Sequence, residues 1–173
     1  MEIKSEHKHW LVKSEAKCYS IDDLKRDCKN GAVPWEGIRN FQARNFMRDG
    51  MRPGDLVLFY HSNGTPKSPA GVYGIARVAG KPHIDESALN PKDEHFDPKA
   101  VAYKKAGKSP MWVCVDMEFV AKFSQPVYLS DLKREGSRLG GMLVLQTGQR
   151  LSVMPVSKTH FERVVQLGEE AGK

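Results

Sequence analysis

A chain of 173 residues with 40% apolar content has room for one domain, with or without a generous insertion, and for a real core. Its net charge of +6 favours a polyanionic partner, yet 21 acidic residues offset much of the base and exclude a histone-like arm. Cys18, Cys28 and Cys114, an odd number with no CxxC, argue against a disulfide framework, and no stretch approaches the roughly twenty apolar residues of a membrane span.

Residues 1–8 form a charged lead-in without the apolar region of a signal peptide. They and residues 168–173 are expected to be flexible ends around a single domain, 9–167. HWLVKS (9–14) alternates as a short strand. Ser20 then caps a helix, with Asp22 and Asp23 in its first turn and Gly31 as its stop. Ile21, Leu24 and Cys28 share the inward face of that helix.

The stretch from Val33 to Asp55, VPWEGIRNFQARNFMRDGMRPGD, is unlike an ordinary surface helix. It crowds Trp35, Arg39, Asn40, Gln42 and Asn45 together, although Asn and Trp are mediocre helix formers. A helix is predicted from Asn40 to Arg48, with Ala43, Phe46 and Met47 inward and Arg44 and Arg48 outward. Flat rings, amides and arginines are the parts with which single strands are read. The same residues also make sense as core anchors and a solvated face.

DLVLFYHS (55–62) and AGVYGIARVAG (70–80) read as a hairpin, with Gly71 and Gly74 allowing close approach or curvature. Residues 81–110 are polar, contain four prolines and read as a long surface connection with one helical turn near Glu86. MWVCVDMEFVAKF (111–123) alternates as a half-exposed antiparallel strand. LSDLKREG is a short helix capped by Ser130, and MLVLQ and LSVMPV are two closing strands around a turn. SKTHFERVVQLGEE is a final amphipathic helix presenting Phe161, Val164 and Val165. About six short strands, mostly pairing antiparallel with sequence neighbours, and a few helices predict an α+β fold. Its expected form is a small mixed, largely antiparallel barrel with peripheral helices.

Chemistry has few places to sit. The histidines are scattered, without HExxH or paired cysteines, so no metal is expected; without GxGxxG or a Walker motif, no cofactor is expected. No GxSxG marks a nucleophile. The aromatic-plus-polar candidates are Trp10, Lys13 and Ser14; Trp35, Arg39 and Asn40; Phe59, Tyr60, His61 and Ser62 at a strand end; and Leu151, Ser152 and Val153. His61 and Trp112 also read as structural residues, Trp112 as core.

WLVKSE, WEGIRNFQARNFMR, GDLVLFYHSN, GIARV, WVCVDM and RLSVMPV, in this order, resemble the EVE domain family. The resemblance implies a PUA-like fold, a mixed and largely antiparallel β-barrel flanked by helices, related to YTH and ASCH domains. It also implies a non-catalytic reader of a modified base flipped out of DNA or RNA. By resemblance the base pocket comprises Trp10, Lys13, Ser14, Trp35, Asn40, Tyr60, His61 and Ser62, with Ser152 and Val153 as its floor; Arg39, Arg44 and Arg48 serve phosphates. One departure is Ala16, where the family's KSEP has proline, which removes stiffness from that turn. The lack of a long basic segment before residue 9 resembles bacterial members, so a cytoplasmic monomer is expected. The competing expectation is an ASCH-like hydrolase acting on RNA or a modified nucleoside, with Lys13 and Glu15 as acid and base.

Overall fold

The computed structural model describes residues 8–170. Its centre is the pairing of two strands that run side by side in the same direction: β1 (His9–Glu15) and β3 (Leu56–Ser62), in the register Trp10 with Val57, Val12 with Phe59, Lys13 with Tyr60 and Ser14 with His61. A parallel pair needs a long crossover. Here it contains α1 (Ile21–Asp27), the short strand β2 (Val33–Trp35) and α2 (Phe41–Asn45), which continues as a π-helical turn over Phe46–Gly50. The start of α1 follows the expected chemistry. Ser20 Oγ accepts from Asp23 N–H while the Asp23 carboxylate accepts from Ser20 N–H, satisfying two donors of the helix end.

Beyond β3 the expected hairpin forms with β4 (Gly71–Val78). β4 pairs in turn with β6 (Val113–Tyr128), a strand of 16 residues. β6 also holds β2 and the two-residue β5 (His83–Ile84) near its start, and β7 (Val153–Val156) closes antiparallel on β1. The order β2-β6-β4-β3-β1-β7 is a mixed sheet with antiparallel pairs in the majority, curled into a half-barrel. The glycines of β4 permit that curl. A Cβ on Gly71 would lie 2.5 Å from the Val127 carbonyl oxygen, and one on Gly74 would lie 2.3 Å from that of Ala121. The β4–β6 register slips between Val72 and Gly74 and again between Ile75 and Ala76, so the strands bend where they approach most closely.

The sheet is covered on both faces. Ile21 of α1 lies against Gly74, and Gly50 at the end of the π turn lies against the Trp10 ring, so α1 and α2 cover the inner face. On the outer face lies α5 (Lys158–Glu170), whose Phe161 meets the His9 ring with centroids 4.5 Å apart. α4 (Leu129–Arg134) is tied to α5 through Glu135, which accepts two bonds from Arg163 at 2.6 and 2.9 Å. No described helix is long and apolar enough to cross a membrane.

Several expectations change. Residues 81–110 are not a bare connection: after β5 and a 3-10 turn at Glu86–Leu89 they form α3 (Pro98–Lys105). Leu89 and Ala100 pack with Met111 and Trp112 into a second small core, which covers the start of β6. Val113, Cys114 and Val115 are therefore all buried, where alternation promised a half-exposed strand. MLVLQ makes a 3-10 turn (Leu143–Leu145) instead of a strand, leaving β7 as the one closing strand there. Ser130 is inside α4; Asp131 accepts from Tyr128 N–H at its start. Residues 168–170 belong to α5, with Gly168 buried against Phe123. The flexibility expected of residues 1–7 and 171–173 lies outside the described residues.

Gly74→Ala is expected to destabilise the fold by roughly 1–3 kcal/mol, because the new methyl meets backbone that can move only by parting β4 from β6. Urea unfolding of the two proteins checks this. An unchanged midpoint would mean the two strands do not approach as closely as described.

Candidate base-binding site

Successive side chains of a strand leave opposite faces. The β1–β3 register therefore sorts the predicted site residues into two groups. Trp10, Ser14 and His61 share the inner face with Val12 and Phe59; Lys13, Tyr60 and Ser62 take the outer face. Ring contacts agree with this division. Trp35 lies edge-on to Phe59 at 5.5 Å and Phe59 edge-on to His61 at 5.7 Å, while Trp10 is tilted against Phe46 at 6.0 Å. On the other side, Lys13 Nζ lies 5.9 Å from the Tyr60 ring centroid. The ten predicted pocket residues do not line one hollow.

The inner-face group contains an unusual polar feature. His61 is 4% exposed and its Nε2 accepts from Ile21 N–H at 3.1 Å, at the first residue of α1. Burial lowers the pKa of His61, so the ring is neutral and, with Nε2 accepting, its proton sits on Nδ1. That Nδ1–H is buried without a partner among the described residues. So is the indole N–H of Trp35, 8% exposed. Two buried donors thus flank Phe59 without acceptors, whereas such groups are nearly always bonded. Tyr73 stacks on His61 at 3.9 Å, and Tyr19 lies edge-on to Trp35 at 6.1 Å, its hydroxyl donating to Asp27. Neither tyrosine was a predicted site residue. Their signal was present only as aromatics adjoining the Ser20 cap and lying between Gly71 and Gly74.

Trp10 falls away from this group. It is 3% exposed, and its indole N–H donates to Asp55 Oδ2 at 2.8 Å, which makes it a bonded core residue and not a pocket wall. Val153, fully buried opposite Val12, is likewise core. Asn40 caps α2, its Oδ1 accepting from Ala43 N–H, so its acceptor serves the helix instead of a base edge. On the outer face Lys13 donates from Nζ to the Gln149 carbonyl and from its backbone to that of Ser152, and burial lowers its pKa. Tyr60 is buried on the same face, with Ser62 following it at the strand end. The turn without the family's proline is still closed, because Cys18 and Tyr19 N–H both donate to the Glu15 carbonyl.

The arginines expected at phosphates are mostly engaged. Arg39 donates to Asp85, Ser87 and the His95 carbonyl. Asp85 is fully buried, and burial alone would raise its pKa; bonds from Arg39, Ser87 and Gly37 N–H hold it below the ordinary carboxylate range. Arg44 donates to the Met111 carbonyl and to Asn45, and Arg48 pairs with Asp49. Trp112, as expected, is core, its indole N–H bonded to Asp97. No group of three or more His, Cys, Asp or Glu among the described residues is placed to hold a metal. Neither Trp35 nor His61 lines the surface hollows at residues 84–112, 36–93 and 126–170.

Comparison with known proteins is consistent in kind. A family model described as the EVE domain matches residues 8–167. Thymocyte nuclear protein 1 of Gallus gallus is 35% identical over 185 residues, covering 98% of this chain and 72% of that protein. A hypothetical protein from Leishmania major has a structure similar at a TM-score of 0.85 and 40% identity, covering 97% and 98% of the two chains. The human THYN1 protein, solved in complex with 5-methylcytosine-containing DNA, is similar at a TM-score of 0.79 and 34% identity, covering 94% and 98%. These eukaryotic relatives lend the bacterial and cytoplasmic expectations no support.

Two outcomes follow from the geometry. Arg39→Ala strands the buried Asp85 and is expected to cost about 3 kcal/mol of stability in a denaturant titration, whether or not a ligand is present. A change of less than about 1 kcal/mol would show that Asp85 is not a buried charge. His61, with its pKa lowered by burial, contributes fully above the unfolded value of 6.5 and loses that contribution as pH falls from there toward its folded value. The stability of the wild type relative to His61→Gln should therefore shrink on acidification below about pH 6.5. A gap that stays constant or widens in the same titration would contradict a neutral buried imidazole.

Proposed function

The chain belongs to the EVE domain family, and from that premise we propose that it binds a modified base of a nucleic acid without altering it, using the Trp35–Phe59–His61 cluster as the recognition end. The observation that carries this reading is the pair of unpartnered N–H donors. Two buried donors call for a ligand edge with acceptors. A pyrimidine of the cytosine type offers two, O2 and N3, on the edge exposed when the base leaves the stack. The human relative bound to 5-methylcytosine DNA supports this ligand class. Rings at Trp35, Phe59, Tyr19 and Tyr73 supply flat apolar surface, and stacking of a base on such rings contributes roughly 1–3 kcal/mol.

Because Trp35 and His61 are nearly closed off, entry of a base requires a ring to swing out. Tyr19 and Tyr73 are the half-buried members at the rim. Extraction of the base costs a few kcal/mol, less from a single strand. A methyl group adds only about 0.8 kcal/mol by burial, so the preference for a methylated base is a few-fold and not absolute. The hydrolase reading has less to stand on. Lys13 is held by the Gln149 carbonyl, and Glu15 accepts from Asn63 at 2.6 Å and pairs with Lys17, so the acid–base pair it needs is engaged elsewhere.

Trp35→Phe separates a ligand-facing donor from a structural one. It keeps a six-membered ring but removes the rest of the indole, including an N–H that nothing among the described residues accepts, so stability should fall only by the packing lost, roughly 1–3 kcal/mol. Binding of short single strands carrying cytosine or 5-methylcytosine should weaken about five- to tenfold for both, since both bases present O2 and N3. Fluorescence anisotropy checks this. Unchanged binding of both strands would show that the indole N–H faces no ligand.

A further inference from the structure

With Arg39, Arg44 and Arg48 engaged within the protein, the net positive charge must act on a strand from elsewhere. α3 is the densest place for it. Lys99, Lys104 and Lys105 lie on the helix and Lys108 just beyond it, and the first three make no ion pair among the described residues. The carboxylate nearest in sequence, Asp97, is taken up by Trp112 N–H and Lys99 N–H. Rings are interleaved with these cations. Lys108 Nζ sits 4.7 Å over the Tyr103 ring, and Tyr103, 39% exposed, lies four residues from Lys99 on one side of the helix.

This surface continues onto α2. Phe41 is the most exposed large apolar side chain among the described residues, at 55%, and stacks on the edge of the second core against Trp112, with centroids 4.8 Å apart and planes 19° apart. Arg44 lies 4.9 Å over the Phe41 ring, and its Nη1 donates to the Met111 carbonyl, which ties α2 to the segment leaving α3. Trp112 in turn bonds Asp97 at the start of α3 and packs with Ala100 of that helix, so Phe41 lies beside α3.

We propose that the face shared by α2 and α3 is a platform for the nucleic-acid strand that flanks the recognised base. Lys99, Lys105 and Lys108 hold its phosphates, and Phe41 and Tyr103 offer rings to its neighbouring bases. Cations spaced by rings are the combination that binds single strands with little regard to sequence. This inference rests on the reading above for the presence of a strand, but not for which base is read. The platform supplies affinity that no single base contact could, and it does so equally for modified and unmodified strands.

The test uses the full chain and short methylated and unmethylated single strands in anisotropy titrations over a range of salt. Lys99→Ala, Lys105→Ala and Lys108→Ala together should lower the salt slope by about 2, at roughly 0.7 for each phosphate released. Binding at low salt should weaken about tenfold for both strands with their ratio unchanged. The matched triple Lys25→Ala, Lys29→Ala and Lys133→Ala removes the same charge elsewhere and should leave most of the slope. An α3 triple with the wild-type slope, or a matched triple that loses as much, overturns the platform. Wild-type protein that binds both strands equally, with a slope still set by α3, would sink the base-reading proposal alone. Wild-type protein that binds neither strand would end both.

Discussion

The parallel ladder between β1 and β3 is the constraint from which the rest follows. Its register decides which side chains look into the half-barrel, and a slip of β3 by one residue would set Tyr60 in place of His61 beside Ser14 on the inner face. Two strands lying side by side in parallel cannot be joined by a turn, so the chain must make a long excursion between them. That excursion brings α1 over His61 and sets Trp35 beside Phe59. The ladder is anchored at its start by Asp55, whose carboxylate takes the Trp10 indole N–H as well as the backbone N–H of Lys8 and Arg52. A buried carboxylate with several donors is a strong local tie, each such bond contributing roughly 1.5–3 kcal/mol.

At the other end of the ladder the polar accounting is incomplete, and this contrast gives the site its meaning. The same sheet that satisfies the Trp10 indole leaves the Trp35 indole and the second nitrogen of His61 without acceptors among the described residues. Each such group costs about 1–3 kcal/mol in the folded state. A ligand that brings acceptors removes that cost on binding, which makes an unsatisfied donor an advantage for recognition where it would be a flaw in a core. The outer face is chemically different: Lys13 already has the Gln149 carbonyl, and Tyr60 is buried beside it.

Much of the architecture was legible because local chemistry and tertiary packing agree there. The Ser20 cap, the FYHS strand and its hairpin partner, the close approach at Gly71 and Gly74 and the apolar stripe of the last helix all appear as their residues suggest. α3 was hidden because its prolines mark its start and its surroundings and not its interior, and because Tyr103, Lys104 and Lys105 carry no apolar period. MLVLQ has the composition of a strand, yet its apolar side chains are used in a 3-10 turn. The candidate site was legible in residue type more than in place. Alternation along β1 and β3 was visible in the sequence, but the register that divides Lys13 and Tyr60 from Ser14 and His61 depends on a pairing between distant segments. The arginines of α2 suggested phosphates, whereas Arg39 closes on an Asp85 that lies 46 residues away.

The central claim is that the Trp35 and His61 donors receive an acceptor edge of a bound base. Selective 15N labelling of tryptophan and histidine, followed by titration with a 5-methylcytosine strand, observes these two atoms directly. The claim predicts that the Trp35 Nε1 and His61 Nδ1 protons shift downfield and exchange more slowly on saturation, while the Trp10 Nε1 proton, already bonded to Asp55, stays in place. A strand that binds to saturation and leaves the Trp35 and His61 signals unmoved would contradict it.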